Sequence, residues 1–514
     1  MKEKIVVIDF GSQYTQLIAR RIREMKVYSE VIQPNDVDKV IGSSSSHVKG
    51  IILSGGPRSV NSPDATDVSA QIFSKEIPIL GICYGMQLIA RHFDGKVRSS
   101  EKREYGNTAV KILKQSSLFK AIPEKITVWM SHGDDVRTLP KGSVATAETE
   151  NRVCAAFEFS EEKIYALQFH VEVTQTEYGM QILKNFVFDI CGCESSWSLE
   201  NFVTNRIQNI REEIGNERAI CALSGGVDST VAAVMVNRAI GNRLLAVLVD
   251  HGFMRKEEVE DVRRYMRNGL GLNLKVVDAS KEFLNVLKGV TDPEEKRKRI
   301  GEQFIRAFER ESARAGEIKY LVQGTIYSDV IESAASGSTT ISRIKSHHNV
   351  GGLPEEMNLK IVEPLRTLFK DEVREIGKIL GIPEQILNRQ PFPGPGIAIR
   401  IIGEITLERI EIVREADAIF REVLEENGWM EKIWQSFVVL LPLRSVGVTG
   451  DKRTYGYVVA LRAVNSVEGM TASWSEIPLD ILKKASKRIT NEIKGVNRVV
   501  YDITDKPPAT IEWE

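Results

Sequence analysis

One cysteine in the chain has glycines two residues away on both sides, in Ile79-Leu80-Gly81-Ile82-Cys83-Tyr84-Gly85-Met86-Gln87. The pattern reads as strand, tight turn, helix, the layout that lifts a nucleophile onto a sharp elbow. Glycine removes side-chain bulk where the backbone turns, and a thiol at a helix N-terminus is favoured as thiolate. On its own the pattern also suits a buried structural cysteine. Gln168-Phe169-His170-Val171-Glu172 supplies what a nucleophile needs. Residues two apart on a strand share a face, which places His170 beside Glu172 as base and orienting acid. A third segment, Ser54-Gly55-Gly56-Pro57, follows an apolar run and could turn backbone N–H groups toward a developing oxyanion. The chemistry predicted is attack of a thiolate on a carbonyl carbon.

A second strand, turn and helix carries Ser224, Gly225, Gly226, Val227, Asp228, Ser229 and Thr230. A glycine turn opening a helix aims N–H groups at an anion. The Gly-Lys-Ser/Thr ending of a P-loop is absent, so the cation that normally reaches the terminal phosphates must come from elsewhere. Asp228 is a candidate magnesium ligand. The next apolar run ends at Val249, just before Asp250 and His251, and a later one leads into Gly324, Asp329 and Glu332. Lys345-Ser346-His347-His348-Asn349-Val350-Gly351-Gly352 suits a lid over phosphates. Its adjacent histidines point apart on any regular element, which argues against a metal site. The run Lys296-Arg297-Lys298-Arg299 is either a solvated helix face or a nucleotide-phosphate contact. Lys506-Pro507-Pro508-Ala509-Thr510-Ile511-Glu512-Trp513-Glu514 has the composition of a docked tail.

These segments need a scaffold of strands and helices. Short apolar runs at 5–8, 50–53, 77–80 and 164–169 alternate with helical stretches, which predicts a parallel sheet covered by helices. The alternation breaks at 191–198 and resumes with strands at 219–223, 244–249, 274–277 and 320–323. A Pro/Gly-rich loop at 390–396 excludes helix and sheet and opens a third block, with strands expected at 397–402, 437–441, 457–462 and 498–503. The expected domains are therefore 1–190, 198–388 and 389–514, all of mixed α/β type. With 69 Lys and Arg against 70 Asp and Glu, no global field gathers nucleic acid or anionic membrane. Cys83, Cys154, Cys191, Cys193 and Cys221 form no CxxC pair, and no apolar stretch is long enough to span a bilayer. Reduced thiols and a cytoplasmic location are expected.

The first ~190 residues resemble the class I glutamine amidotransferases. The resemblance implies an α/β domain in which Cys83, His170 and Glu172 are catalytic, Gly56 and Tyr84 form the oxyanion hole, and Gln87, Ser131, His132 and Asp134 bind glutamine. Val171 stands where that family usually has proline, and valine suits an extended segment equally well. Residues 224–229 resemble the loop of the N-type ATP pyrophosphatases. That implies a doubly wound parallel sheet and release of pyrophosphate from Mg2+-bound ATP, with Val249 beside the adenine and no tightly bound organic cofactor. The domain order, the lid and the ending resemble the GMP synthetase family. This implies XMP as acceptor, contacts from Arg297, Lys345, Lys506 and Glu512, and a C-terminal α+β domain that makes a homodimer. Two alternatives share parts of the pattern: another ligase with the same loop, acting on nicotinate-adenine dinucleotide or thiolating nucleic acid, and a nucleotide-binding regulator with dead sites.

Overall fold

The computed structural model describes residues 3–12, 14–44, 47–74, 76–330, 359–449, 451–466 and 471–514. The lid segment at 345–352 lies outside them, and with it Lys345. The chain forms two compact units, Met1–Asn201 and Phe202–Glu514.

The first unit is built on one nine-stranded sheet. Its strands are β1 (Lys4–Ile8), β2 (Tyr28–Ile32), β3 (Val48–Leu53), β4 (Ile79–Ile82), β5 (Lys96–Ile112), β6 (Lys125–Thr138), β7 (Val144–Thr149), β8 (Cys154–Phe159) and β9 (Ile164–Leu167). The spatial order is β2-β1-β3-β4-β9-β8-β7-β5-β6. The four apolar runs read from the sequence are β1, β3, β4 and β9, and these pair in parallel. Their side chains are buried throughout β4 and β9, as covering on both faces requires. Beyond β9 the pairing turns antiparallel. Within this half β6 alternates buried and half-buried residues along its first part and carries no long apolar run.

The second unit has a parallel sheet of β10 (Ala219–Leu223), β11 (Leu244–Asp250), β12 (Leu274–Asp278), β13 (Tyr320–Val322) and β14 (Lys360–Val362), in the order β12-β11-β10-β13-β14. The first strand is central, and successive strands add to either side of it. Such a doubly wound sheet leaves a crevice beyond the carboxyl end of β10, where the connections diverge. A second sheet pairs β15 (Gln435–Thr449) with β16 (Lys452–Asn465), β16 with β17 (Ser473–Trp474), and β16 in parallel with β18 (Val496–Asp502). One apolar core runs through this unit, from Ile220 and Leu321 to Val413, Val438 and Ile489. The blocks expected at 198–388 and 389–514 therefore pack around shared side chains.

The strand expected at 397–402 is a 3-10 turn, Gly396–Arg400, with a single bridge from Ile401 to Leu440. A short apolar run without alternation fits a buried helical turn as well as a strand. Here residues 397–401 are wholly buried in the core, and Pro393 and Pro395 withhold donors that a sheet would need.

The last residues are docked by three buried cations. Lys296 Nζ meets Glu514 Oε2 at 2.5 Å, Arg400 holds both oxygens of Glu512, and Arg462 donates to the carbonyls of Thr504 and Thr510. Lys296, Arg400 and Arg462 have no exposed side-chain surface, so unpaired they would be costly.

Candidate active sites

Cys83 stands between β4 and the helix Tyr84–His92 (α1). Its φ of 52° and ψ of −105° put a non-glycine residue in a strained region, the elbow the sequence predicted. Glycine is required on both sides. A Cβ at Gly81 would lie 2.5 Å from Ile89 Cδ1, and one at Gly85 would run into the carbonyl oxygen of Leu53 on β3.

His170 is hydrogen-bonded to Cys83 on one side and to Glu172 on the other, with Nδ1 2.6 Å from Glu172 Oε1. Burial by itself pushes the imidazole pKa down. The Glu172 charge and the hydrogen bonds to Cys83 and Glu172 outweigh that and raise it to about 10. The raised value favours the protonated ring, the form of an imidazole that can give up a proton.

The strand argument for this pair is corrected by the structure. β9 stops at Leu167, and His170 makes only an isolated bridge to Trp129. What fixes the segment is a set of contacts that spacing did not reveal. His170 N donates to Trp129 O at 3.0 Å, Thr176 Oγ1 donates to His170 O at 2.5 Å, and Arg21 Nε donates to Glu172 O at 3.1 Å. The ring of Tyr14 meets that of His170 edge-on at 4.8 Å. Arg21 and Tyr14 come from the opposite end of the unit's sequence, where nothing local marks them.

The other residues named for this site gather around the thiol. Cys83 Sγ donates to Ser131 O at 3.7 Å. Gln87 Nε2 donates to Asp134 O at 2.9 Å, and His132 Nδ1 reaches the same oxygen at 3.0 Å. Ser59, absent from the sequence reading, donates a short hydrogen bond to the Asp134 carboxylate. Tyr84 opens α1, so its N–H has no acceptor within the helix. Gly56 packs against the Tyr84 ring, where a Cβ would lie 3.2 Å from Cγ.

In the second unit the loop from β10 enters the helix Val227–Ile240 (α2), with Gly226 as its N-cap and Gly225 at φ 74°. Gly226 N donates to Ser224 Oγ at 3.3 Å, and the Ser224 and Ser229 hydroxyls lie 3.1 Å apart across the turn. A cavity of about 470 Å³ opens over residues 224–229 and extends along Val249 to Phe304 and the 390–394 loop. Thr230 is the exception. It is fully buried, and its Oγ1 donates to Gly226 O at 2.8 Å, so it braces the turn and does not line the cavity. Asp228 is held by Lys370, with Nζ 2.7 and 2.5 Å from its two oxygens. Lys370 begins the helix Lys370–Ile379 (α3) and lines the same cavity, as do Arg374 and Arg389. None of the three is marked in the sequence: Lys370 and Arg374 sit among acids on an amphipathic helix and resemble a solvated face, and Arg389 lies in a loop beyond the helix Glu384–Leu387. His251, at the end of β11, also lines the cavity, and burial lowers its pKa to about 3, so it is neutral.

Of the residues assigned to the acceptor, Arg297 donates to the backbone oxygen of Glu514, and Glu512 is held by Arg400 and by Gln435 Nε2 at 2.9 Å. Both thus have protein partners in the docked tail, and neither lines the cavity. Lys506 exchanges backbone hydrogen bonds with Ala472.

A thiol–imidazole–carboxylate site and a phosphate-binding doubly wound sheet together define a glutamine amidotransferase joined to an ATP-using synthetase. The family model for glutamine amidotransferase class-I matches residues 6–190, that for NAD synthase residues 198–341, and that for the GMP synthase C terminal domain residues 422–513. Among curated relatives, a glutamine-hydrolysing GMP synthase from Petrotoga mobilis is 59% identical and is covered over 100% of both chains. The one from Thermotoga maritima is 59% identical over 99% of this chain and 100% of its own, and that from Clostridium botulinum 53% over 100% of both. The chain belongs to the glutamine-hydrolysing GMP synthase family.

Proposed function

We propose that the two sites divide the synthesis of GMP from XMP, ATP and glutamine as follows. The Cys83 thiolate attacks the side-chain amide carbon of glutamine, and the oxyanion that forms accepts from the N–H groups of Tyr84 and Gly56. His170 gives its proton to the departing nitrogen, and ammonia leaves. His170, now neutral, takes a proton from the water that splits the thioester to glutamate. Glu172 keeps the imidazole oriented and stabilises its charged form. Gln87, Ser131, His132 and Asp134 surround the glutamine.

At the second site the 224–229 loop and the N-terminus of α2 hold the phosphates of ATP. The C2 oxygen of XMP attacks the α-phosphorus and pyrophosphate leaves. Ammonia then adds at C2 and displaces AMP, giving GMP. Asp228 is the residue that would hold Mg2+, together with phosphate oxygens and water. Among the described residues no cluster of three or more His, Cys, Asp or Glu offers an all-protein cage, which is the donor set expected for a phosphate-bound magnesium. The ion would neutralise phosphate charge there.

Lys506 and Lys345 are the proposed direct contacts to XMP, with Arg297 and Glu512 shaping the tail. A homodimer through 389–514 is supported by the hairpin of β15 and β16. Val446 and Tyr455 lie opposite each other on one exposed face, beside Val448. Free cysteines support a cytoplasmic setting, and no helix among the described residues is long and apolar enough to cross a membrane.

The observation that carries this reading is the His170 bridge between Cys83 and Glu172, in one chain with a lysine-free phosphate loop over a nucleotide-sized cavity. Cys83→Ala should abolish glutamine-dependent GMP formation and leave ammonia-dependent formation within about twofold. Parallel loss of both in a folded variant would refute the division of labour.

A further inference from the structure

Asp9 is a buried acid next to the first site that glutamine hydrolysis as proposed leaves unused. It follows β1, and its Oδ1 accepts from Gly11 N at 2.9 Å and from Thr15 Oγ1 at 2.8 Å. Thr15 Oγ1 also reaches Ser54 Oγ at 3.1 Å, and Phe10 N donates to the same Ser54 oxygen at 3.2 Å. A hydroxyl can accept twice and donate once. With two donors directed at its oxygen, Ser54 gives its own proton to Gly55 O, at 3.0 Å. Ser54 and Thr15 are buried, so water does not compete for these bonds.

The bond to Gly55 O bears on the chemistry through the geometry of one peptide unit. The Gly55 carbonyl and the Gly56 N–H belong to the same trans, planar group and point in opposite directions. Holding Gly55 O against Ser54 therefore turns the Gly56 N–H the other way. This peptide lies in the site, since a Cβ at Gly55 would be 3.1 Å from His170 Cε1. The backbone before it is pinned, with Ser54 N donating to Ile8 O and Gly85 N donating to Ser54 O, both at 3.1 Å. The unit itself joins two glycines, which leave rotation about its flanking bonds least restricted. Its orientation thus has to be set by a side chain, and Ser54 supplies one.

We infer that Ser54, braced by Thr15 and Asp9, is a positioning residue for glutamine hydrolysis: its hydroxyl sets the Gly55–Gly56 peptide so that the Gly56 N–H meets the oxyanion. The inference rests on Gly56 being an oxyanion donor in the proposed reaction of Cys83. Ser54 touches neither glutamine nor the thiol in this role, and acts only through the peptide it holds.

The test uses the full-length chain and two probes of Cys83, glutamine and iodoacetamide. In Ser54→Ala the kcat for glutamine hydrolysis should fall about 10- to 100-fold, short of the loss seen when an oxyanion donor is removed outright. The KM for glutamine should stay within about threefold, because the bond to the oxyanion strengthens only as charge develops. Iodoacetamide alkylates the thiolate at a saturated carbon and builds no oxyanion. Its rate at Cys83, read by mass spectrometry of the Cys83 peptide, should therefore stay within about twofold. Thr15→Val removes one of the two donors that hold Ser54 and should lower kcat about three- to tenfold, again with alkylation unchanged. A kcat in Ser54→Ala within twofold of the unmodified chain overturns the inference. So does an alkylation rate that falls in step with kcat, which would make Ser54 a support of the thiol or of the fold. If Ser54→Ala does not fold, Thr15→Val decides: a kcat equal to that of the unmodified chain overturns it. An acid-trapped glutamyl thioester on Cys83 is sought in the unmodified chain alongside, and its absence would sink the reaction proposed for Cys83 whatever the variants do.

Discussion

Replacing Glu172 with glutamine keeps the shape of the first site and removes one charge. Glu172 Oε1 is 2.6 Å from His170 Nδ1, with side-chain exposures of 0% and 4%. At an effective dielectric near 20, opposite unit charges about 4 Å apart attract by about 4 kcal/mol. Loss of that term lowers the ratio of imidazolium to imidazole by roughly three powers of ten. Burial, which opposes the charged ring, is then resisted mainly by the bond to Cys83. The His170 midpoint should fall from about 10 to near or below its ordinary 6.5 in Glu172→Gln. Ring 15N NMR across pH 5 to 11, assigned with a His170→Gln control, reads this directly.

Glutamine hydrolysis at pH 7.5 should drop about 100- to 1000-fold, while ammonia-dependent GMP formation is retained. Stability follows with a defined sign. A histidine raised on folding stabilises fully below its unfolded value of 6.5, and that contribution is lost as pH rises through about 10. The melting gap between the unmodified chain and Glu172→Gln should therefore narrow from pH 6.5 to pH 10 and change no further above it. An unshifted His170 midpoint, or a gap that widens with alkali, would refute the electrostatic account of the triad.

Gly85→Ala forces a methyl against the backbone of Leu53, which cannot yield as a side chain would. It should destabilise the first unit by ~3 kcal/mol and remove glutaminase activity, with ammonia use kept; calorimetry shows whether only one unfolding transition moves. Glu512→Gln leaves the buried guanidinium of Arg400 with Asp417 at 3.8 Å as its remaining carboxylate. A loss of about 3 kcal/mol in urea unfolding is expected, and a change under 0.5 kcal/mol would show that the tail is not held by this pair. His251 has its pKa lowered from 6.5 to about 3 by burial and by Arg414. Its depressed value costs stability as pH falls below 6.5, about 2 kcal/mol by pH 5, so His251→Asn should gain that much on the parent between pH 8 and pH 5. Equal pH slopes for the two proteins would count against a neutral His251.

The elements whose role is local were legible in the sequence. Glycines two residues either side of Cys83 specify the elbow, because only glycine tolerates the approach to Ile89 and Leu53. The 224–229 turn likewise carries its own conformational and hydrogen-bonding instructions, and the buried parallel strands announce themselves as apolar runs. Thr230 looks the same in the sequence whether its hydroxyl faces the ligand or the turn; only packing shows it bonded to Gly226.

What the sequence could not decide is whatever depends on residues far apart in the chain. His170 and Glu172 meet without a strand because Trp129, Thr176 and Arg21 brace the backbone around them. Lys370, Arg374 and Arg389 reach the phosphate loop from about 150 residues away, since parallel strands bring the ends of distant connections to one edge. Local types and spacings set which chemistry is possible at Cys83 and at the glycine loop. The charges that make it work, and the burial that strengthens them, come from the tertiary fold.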